Sequence, residues 1–285
     1  MRFLTFLSFI ASTMLIAGCE SLSTPTDLPY DELLVVRGVL TAGQVIDSIQ
    51  IERTLPLTAQ LTGNARNHDS ASFLPNATIK LSFEGREVGM RYKGNGYFTS
   101  DSIVAQPGVT YSLDASADGK HAYAHTIMPH YVIFDTLAIQ IDTSAGRNPS
   151  MLISMDFHHD PYVPYTYYTT TTDSLGRPGQ FTSLWGCQLD TSIKQATTSR
   201  IWSGYIFTKM DSSTIHNLLS KTTLGVITFD RAYYDYFQSS HFGFYSNGSD
   251  ILFSTSAHNS NVVWNVHGDG FGMFVGRAIT LVKLH

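Results

Sequence analysis

Past residue 30 the apolar positions fall at every second residue, and no long stretch keeps a helical period. Ala77, Ile79, Leu81 and Phe83 alternate with Thr78, Lys80 and Ser82. After a turn at Glu84-Gly85, Val88, Met90 and Tyr92 alternate with Glu87, Gly89, Arg91 and Lys93, which predicts a single strand there. Gly94-Asn95-Gly96 has turn chemistry and separates that strand from Tyr97-Phe98-Thr99. Tyr111, Leu113 and Ala115 alternate with Ser112, Asp114 and Ser116, and Asp118-Gly119 precedes a further strand from His121 to Ile127. With Leu33–Leu40 and Val45–Arg53 these make about seven short strands in roughly 95 residues, the spacing of an immunoglobulin-like β-sandwich.

Met128-Pro129-His130 marks a soft boundary, after which strands resume. Leu137, Ile139 and Ile141 share one face, as do Met151, Ile153, Met155 and Phe157. Pro161, Pro164 and Gly176-Arg177-Pro178-Gly179 mark loops, and Thr166–Thr172 is rich in β-formers. Asp230 is placed to N-cap a helix over Arg231–Ser239, and Asp211 to open a helical turn through Ile215 and Leu218-Leu219. Two strands, Val262–His267 and Ala278–Leu284, close the chain, with Gly268-Asp269-Gly270-Phe271-Gly272 between them as a tight loop or bulged hairpin. The pattern predicts a mostly all-β protein. Its divisions are a leader (1–18), a tether (19–31), an immunoglobulin-like sandwich (32–129) and a second β-rich domain with short helical insertions (130–285).

Composition adds a constraint. Thirty serines and thirty threonines outnumber the 18 basic and 23 acidic side chains, so the polar surface is mostly hydroxyl. Charged residues make up 14%, against roughly 25% in average proteins, which argues against a disordered or coiled-coil chain. A net charge of −5 gives no basic stripe for nucleic acid.

The N-terminus carries the sharpest motif. Arg2 is the lone charge before a short, largely apolar run from Phe3 to Ile16, too short to span a bilayer and suited to a secretory signal. It ends in Ile16-Ala17-Gly18-Cys19, the form of a bacterial lipobox: small residues before a cysteine whose thiol becomes diacylated. Cys19 is the expected lipidation site, with the acyl lipid as the chain's one covalent attachment and no other cofactor expected. Several acyl chains anchor a protein stably without a spanning helix. Glu20 to Asp27 then reads as a polar tether. With Cys19 lipidated, Cys187 stands alone in the apolar context Leu184-Trp185-Gly186, the setting of a buried inert thiol.

Catalytic and metal signatures are weak. The glycine-rich Gly268–Gly272 segment leads into β-prone Met273-Phe274-Val275, where a dinucleotide fingerprint needs a helix. His121 and His125 share a strand face but lie roughly 13 Å apart, too far to chelate one zinc together, and His130 follows in the loop. His158-His159-Asp160 is more compact, yet strand neighbours point to opposite faces. Ser, His and Asp are abundant without a Gly-x-Ser-x-Gly elbow. No catalytic or metal residue is assigned. Tyrosines are the better resource, because each joins a large contact area to a polar tip. Tyr162, Tyr165, Tyr167 and Tyr168 cluster in one segment and Tyr234 lies in another, which makes them candidates for ligand or partner contact, against the alternative that many fill the core.

The order of these features resembles a family of Bacteroidota outer-membrane lipoproteins, domain of unknown function 4249. The matching pieces are the lipobox at Cys19, Leu34-Val35-Val36-Arg37-Gly38-Val39-Leu40 and Leu74-Pro75-Asn76-Ala77-Thr78-Ile79. Gly96-Tyr97-Phe98, Gly108-Val109-Thr110-Tyr111-Ser112-Leu113 and the Asn- and Gly-rich segment Asn265–Phe274 complete them. Tyr97, Phe98 and Leu113 with Pro75 are similar to the peptidase-regulatory type of β-sandwich. The resemblance implies a lipoprotein of the outer membrane, accessory to or capturing ligand for a TonB-dependent transporter, with no catalytic residues to carry over. With the lipobox, the strand pattern and the missing catalytic signatures, a non-enzymatic role is expected. Glu20 is the one acid close after Cys19, which leaves periplasmic and surface orientation both open. A secreted carbohydrate-active or other hydrolase and a structural or adhesive surface module are the alternative readings.

Overall fold

Two-residue repeats in the sequence become strands at most of the places expected of them. The structure, a computed structural model, describes residues 30–56, 70–142, 150–160, 162–172, 178–184, 189, 196–205, 220–239 and 262–284. The fold is all-β. Its first strands are β1 (Leu34–Thr41), β2 (Ile49–Arg53), β3 (Thr78–Phe83), β4 (Arg86–Gly89), β5 (Arg91–Gly94), β6 (Tyr97–Thr99), β7 (Thr110–Ala117) and β8 (Lys120–Ile127). There follow β9 (Ile133–Asp142), β10 (Ser150–His159), β11 (Tyr165–Thr172), β12 (Pro178–Leu184), β13 (Ala196–Tyr205) and β14 (Thr222–Phe229). Helix α1 (Arg231–Ser239), β15 (Val266–Gly268) and β16 (Gly270–Lys283) complete the order.

An eight-stranded sheet, β12-β11-β14-β16-β1-β2-β6-β5, is the spine. All its pairings are antiparallel except β1 with β16. A five-stranded antiparallel sheet, β15-β8-β7-β3-β4, packs on one half of one face. Leu34, Val36, Leu40, Ile49, Ile51 and Phe274 meet Ile79, Leu81, Leu113, Ala122 and Ala124 there, forming a β-sandwich core. Each such Leu, Ile or Phe contributes roughly 1.5–3 kcal/mol by leaving water. A second core joins the three-stranded sheet β13-β10-β9 to β11 and β14 through Met155, Phe157, Tyr165, Tyr167, Leu224 and Val226. The third lies on the opposite face of the spine, where Tyr233 and Tyr236 of α1 cover Ile227, Met273 and Val275.

Local chemistry explains the hairpins. Glu84-Gly85, Asn95-Gly96 and Asp118-Gly119 all hold positive φ at both positions, as a type I′ turn requires, and each joins neighbouring antiparallel strands. Helix α1 starts where Asp230 caps it, Oδ1 accepting from the Ala232 N–H at 3.3 Å. Its other oxygen takes the Thr126 hydroxyl at 2.5 Å and the Ile127 N–H at 2.9 Å. Asp230 thus ties the end of β8 to the helix. Thr126 Oγ1 also accepts from the Gly276 N–H at 2.7 Å, so β16 joins the same knot.

Three readings of the sequence are corrected. The strand expected over Val88–Tyr92 is two strands in different sheets, β4 and β5, because the Met90 N–H bonds the Ile79 carbonyl at 2.8 Å and the chain crosses over. The stretch expected from Val45 to Arg53 is regular from Ile49, while Val45 makes an isolated bridge to Val104. Of the tight loop or bulged hairpin expected at the glycine-rich segment, the hairpin is excluded: only Asp269 separates β15, which pairs with β8, from β16, which runs parallel to β1. β14 carries no two-residue alternation to mark it in the sequence, because its Thr222–Phe229 run is buried along nearly its whole length. The spine draws strands from both sides of Met128-Pro129-His130. Gly276 admits that crossing segment, since a Cβ there would lie 3.1 Å from the Ile127 carbonyl oxygen and the Met128 Cα. The turn expected after Asp211 lies outside the described residues.

Candidate functional site

The outward face of the five-stranded sheet carries the polar residues that alternate with its core. In β3, β7 and β8, Ile79, Leu81, Leu113, Ala115, Ala122 and Ala124 point inward and are buried. Their neighbours therefore point out. Register then sets three rows. Thr78 lies opposite Ser116 and Ser116 opposite His121; Lys80 opposite Asp114 and Asp114 opposite Tyr123; Ser82 opposite Ser112 and Ser112 opposite His125. Two more strands extend the grid, with Glu87 of β4 beside Ser82 and His267 of β15 beside Tyr123. The result is an open groove of about 570 Å³.

Its side chains are held by specific contacts. His121 Nε2 lies 2.7 Å from Asp114 Oδ2, a diagonal cross-strand pair with both side chains half exposed. Lys80 Nζ lies 2.9 Å from Glu87 Oε1. That hydrogen bond, with the charge of Glu87 and a smaller share from Asp114, holds the Lys80 ammonium above the ordinary lysine value. The Tyr123 ring has two imidazole neighbours, His121 at 5.9 Å along its own strand and His267 at 5.7 Å on β15, and is 49% exposed. Asp269 fastens the strand edge, its Oδ2 accepting from the His121 N–H at 3.0 Å and its own N–H donating to the His121 carbonyl at 2.7 Å.

This surface combines one aromatic ring, hydroxyls, imidazoles, two carboxylates and an ammonium in fixed register. Ser116, His121 and Asp114 adjoin, but no hydrogen bond joins the Ser116 hydroxyl to the imidazole, the contact a nucleophile and its base share. Among the described residues no three His, Cys, Asp or Glu side chains are grouped so as to hold a metal ion.

The tyrosines singled out from the sequence separate. Tyr165, Tyr167 and Tyr168 are buried, the first two in the core under the three-stranded sheet and the third under α1. Tyr165 packs edge-on against Phe157 at 5.4 Å, and burial pushes the Tyr168 phenol above its usual range. Tyr162 is exposed in a turn with φ of 63°, and Tyr234 is half-buried with the Arg231 guanidinium 5.1 Å over its ring. His158 and His159 diverge as their strand demands. His158 Nε2 meets Asp135 Oδ2 at 2.7 Å on the surface, while the buried His159 ring lies 5.0 Å from Tyr165. Cys19 and Cys187 lie outside the described residues.

The grid was legible strand by strand, since Ser112, Asp114 and Ser116 alternate with apolar residues. What joins its rows, and adds His267 from near the far end of the chain, is register, which has no local signal. The family model for the Domain of unknown function (DUF4249) matches residues 22–280. No curated protein matches the chain in sequence.

Proposed function

The chain belongs to the DUF4249 family, and on that premise we propose that it is a lipid-anchored, non-enzymatic outer-membrane protein of the Bacteroidota type that serves a TonB-dependent transporter as an accessory, ligand-binding module. The open polar grid on β3, β7 and β8 carries the binding half of this reading, because its side chains are set in register and left facing solvent. The lipobox Ile16-Ala17-Gly18-Cys19 and the polar tether behind it support the anchor. The resemblance supplies the transporter as partner.

Cys19→Ala is expected to move the protein from the membrane to the soluble fraction, read by fractionation and immunoblot. Unchanged membrane association would overturn the anchor. Crosslinking of the wild-type protein in native outer membranes should recover a TonB-dependent barrel, and a clean monomer after crosslinking and gentle detergent extraction would overturn the partner.

A further inference from the structure

We propose that the groove over β3, β7 and β8 recognises a neutral oligosaccharide; this deepens the binding reading above and rests on it. Three properties of the groove narrow the ligand class. First, β3, β7 and β8 are inner strands of the order β15-β8-β7-β3-β4, so each is flanked by a hydrogen-bonded strand on both sides. A peptide adding as a new strand needs an unpaired edge and finds none on this face. Recognition here belongs to side chains.

Second, the fixed charges of the lining are one ammonium, Lys80, against two carboxylates, Glu87 and Asp114. Lys80 is already bonded to Glu87, so a polyanion meets net repulsion. Third, the apolar residues of the lining, Leu113 and Ala124, are themselves buried at 2% and 3%, and Tyr123 is the large apolar surface that reaches solvent. One planar ring amid hydroxyls, carboxylates and imidazoles matches a pyranose, which offers an apolar C–H face and a rim of hydroxyls that both donate and accept. Tyr123 takes the C–H face, and Asp114, His125 and the serine hydroxyls of β7 take the rim.

The test uses the full-length protein in detergent and isothermal titration with cellohexaose, xylohexaose, maltohexaose and chitohexaose, with heparin as the polyanion. At least one neutral hexasaccharide is expected to bind, with an affinity little changed by added salt. Tyr123→Ala should weaken that binding about tenfold, while Tyr123→Phe, which keeps the ring, holds it near the wild-type value. Tyr123 is half exposed, so both variants should melt with the wild type, which a thermal scan checks. Failure of all four neutral sugars, binding of heparin alone, or undiminished binding by Tyr123→Ala would each overturn the proposal. If sugar binding fails while membrane anchorage and crosslinking to the barrel persist, the ligand class is wrong and the anchored-module reading stands.

Discussion

Arg37→Met should destabilise the fold by about 3–5 kcal/mol, because it removes a cation bonded to a buried carboxylate. Arg37 of β1 and Glu52 of β2 lie on one face of the spine, diagonal across the pairing of Arg37 with Gln50. The Arg37 Nη1 donates to Glu52 Oε2 at 2.6 Å, and the Glu52 side chain is only 5% exposed. Its other oxygen accepts from Gln50 Nε2 at 3.2 Å and Ser72 Oγ at 3.3 Å. Those two neutral donors remain in the variant, but the Arg37 charge does not. A methionine fills similar volume, so lost packing is a minor part of the effect. Adding Glu52→Leu to Arg37→Met should restore much of the loss, since an apolar pair in place of a buried ion pair is often neutral. Urea unfolding measures all three proteins, and an Arg37→Met variant within about 1 kcal/mol of wild type would contradict the assignment.

Gly272→Ala is the second large effect, again about 3–5 kcal/mol, from overpacking and backbone strain together. Gly272 lies opposite Val36 in the parallel pairing of β1 with β16, the junction that holds the two halves of the spine together. Its φ is +128°, and a Cβ there would sit 2.0 Å from the Val36 carbonyl oxygen and 2.9 Å from the Val36 carbonyl carbon. Those atoms are backbone, so relief requires the strands to part. Gly89 is the matched control. It has no atom within 4 Å of the same built Cβ, and Gly89→Ala should change stability by no more than about 0.5 kcal/mol. Equal losses at the two positions would refute the steric argument.

These two sites show where sequence reading stops. The turns at Glu84-Gly85, Asn95-Gly96 and Asp118-Gly119 and the cap at Asp230 are local devices, and each appears where residue chemistry puts it. The bonds from Thr126 and Ile127 to the same Asp230 carboxylate cross more than a hundred positions and leave no local trace. The parallel return of β16 beside β1 is hidden for the same reason: a glycine-rich segment looks like a turn until the partner strand is known. At Met90 the two-residue alternation continues unbroken through a change of sheet, so period alone fuses β4 with β5. The tyrosine cluster Tyr165–Tyr168 shows the converse. Size and polarity suggested contact with a ligand, while the position of β11 between β12 and β14 puts those rings in two cores. The grid around Tyr123 was visible as alternating polar residues, and only the lateral register made it a surface.

A lipid anchor on Cys19 is what would place this binding surface at the membrane, and the N-terminal peptide of the chain isolated from native membranes decides whether it is there. Mass spectrometry should find Cys19 as the first residue, with a thioether-linked diacylglyceryl group and an acylated amine. A peptide running unbroken across Gly18-Cys19, or a Cys19 with a free thiol, would contradict it.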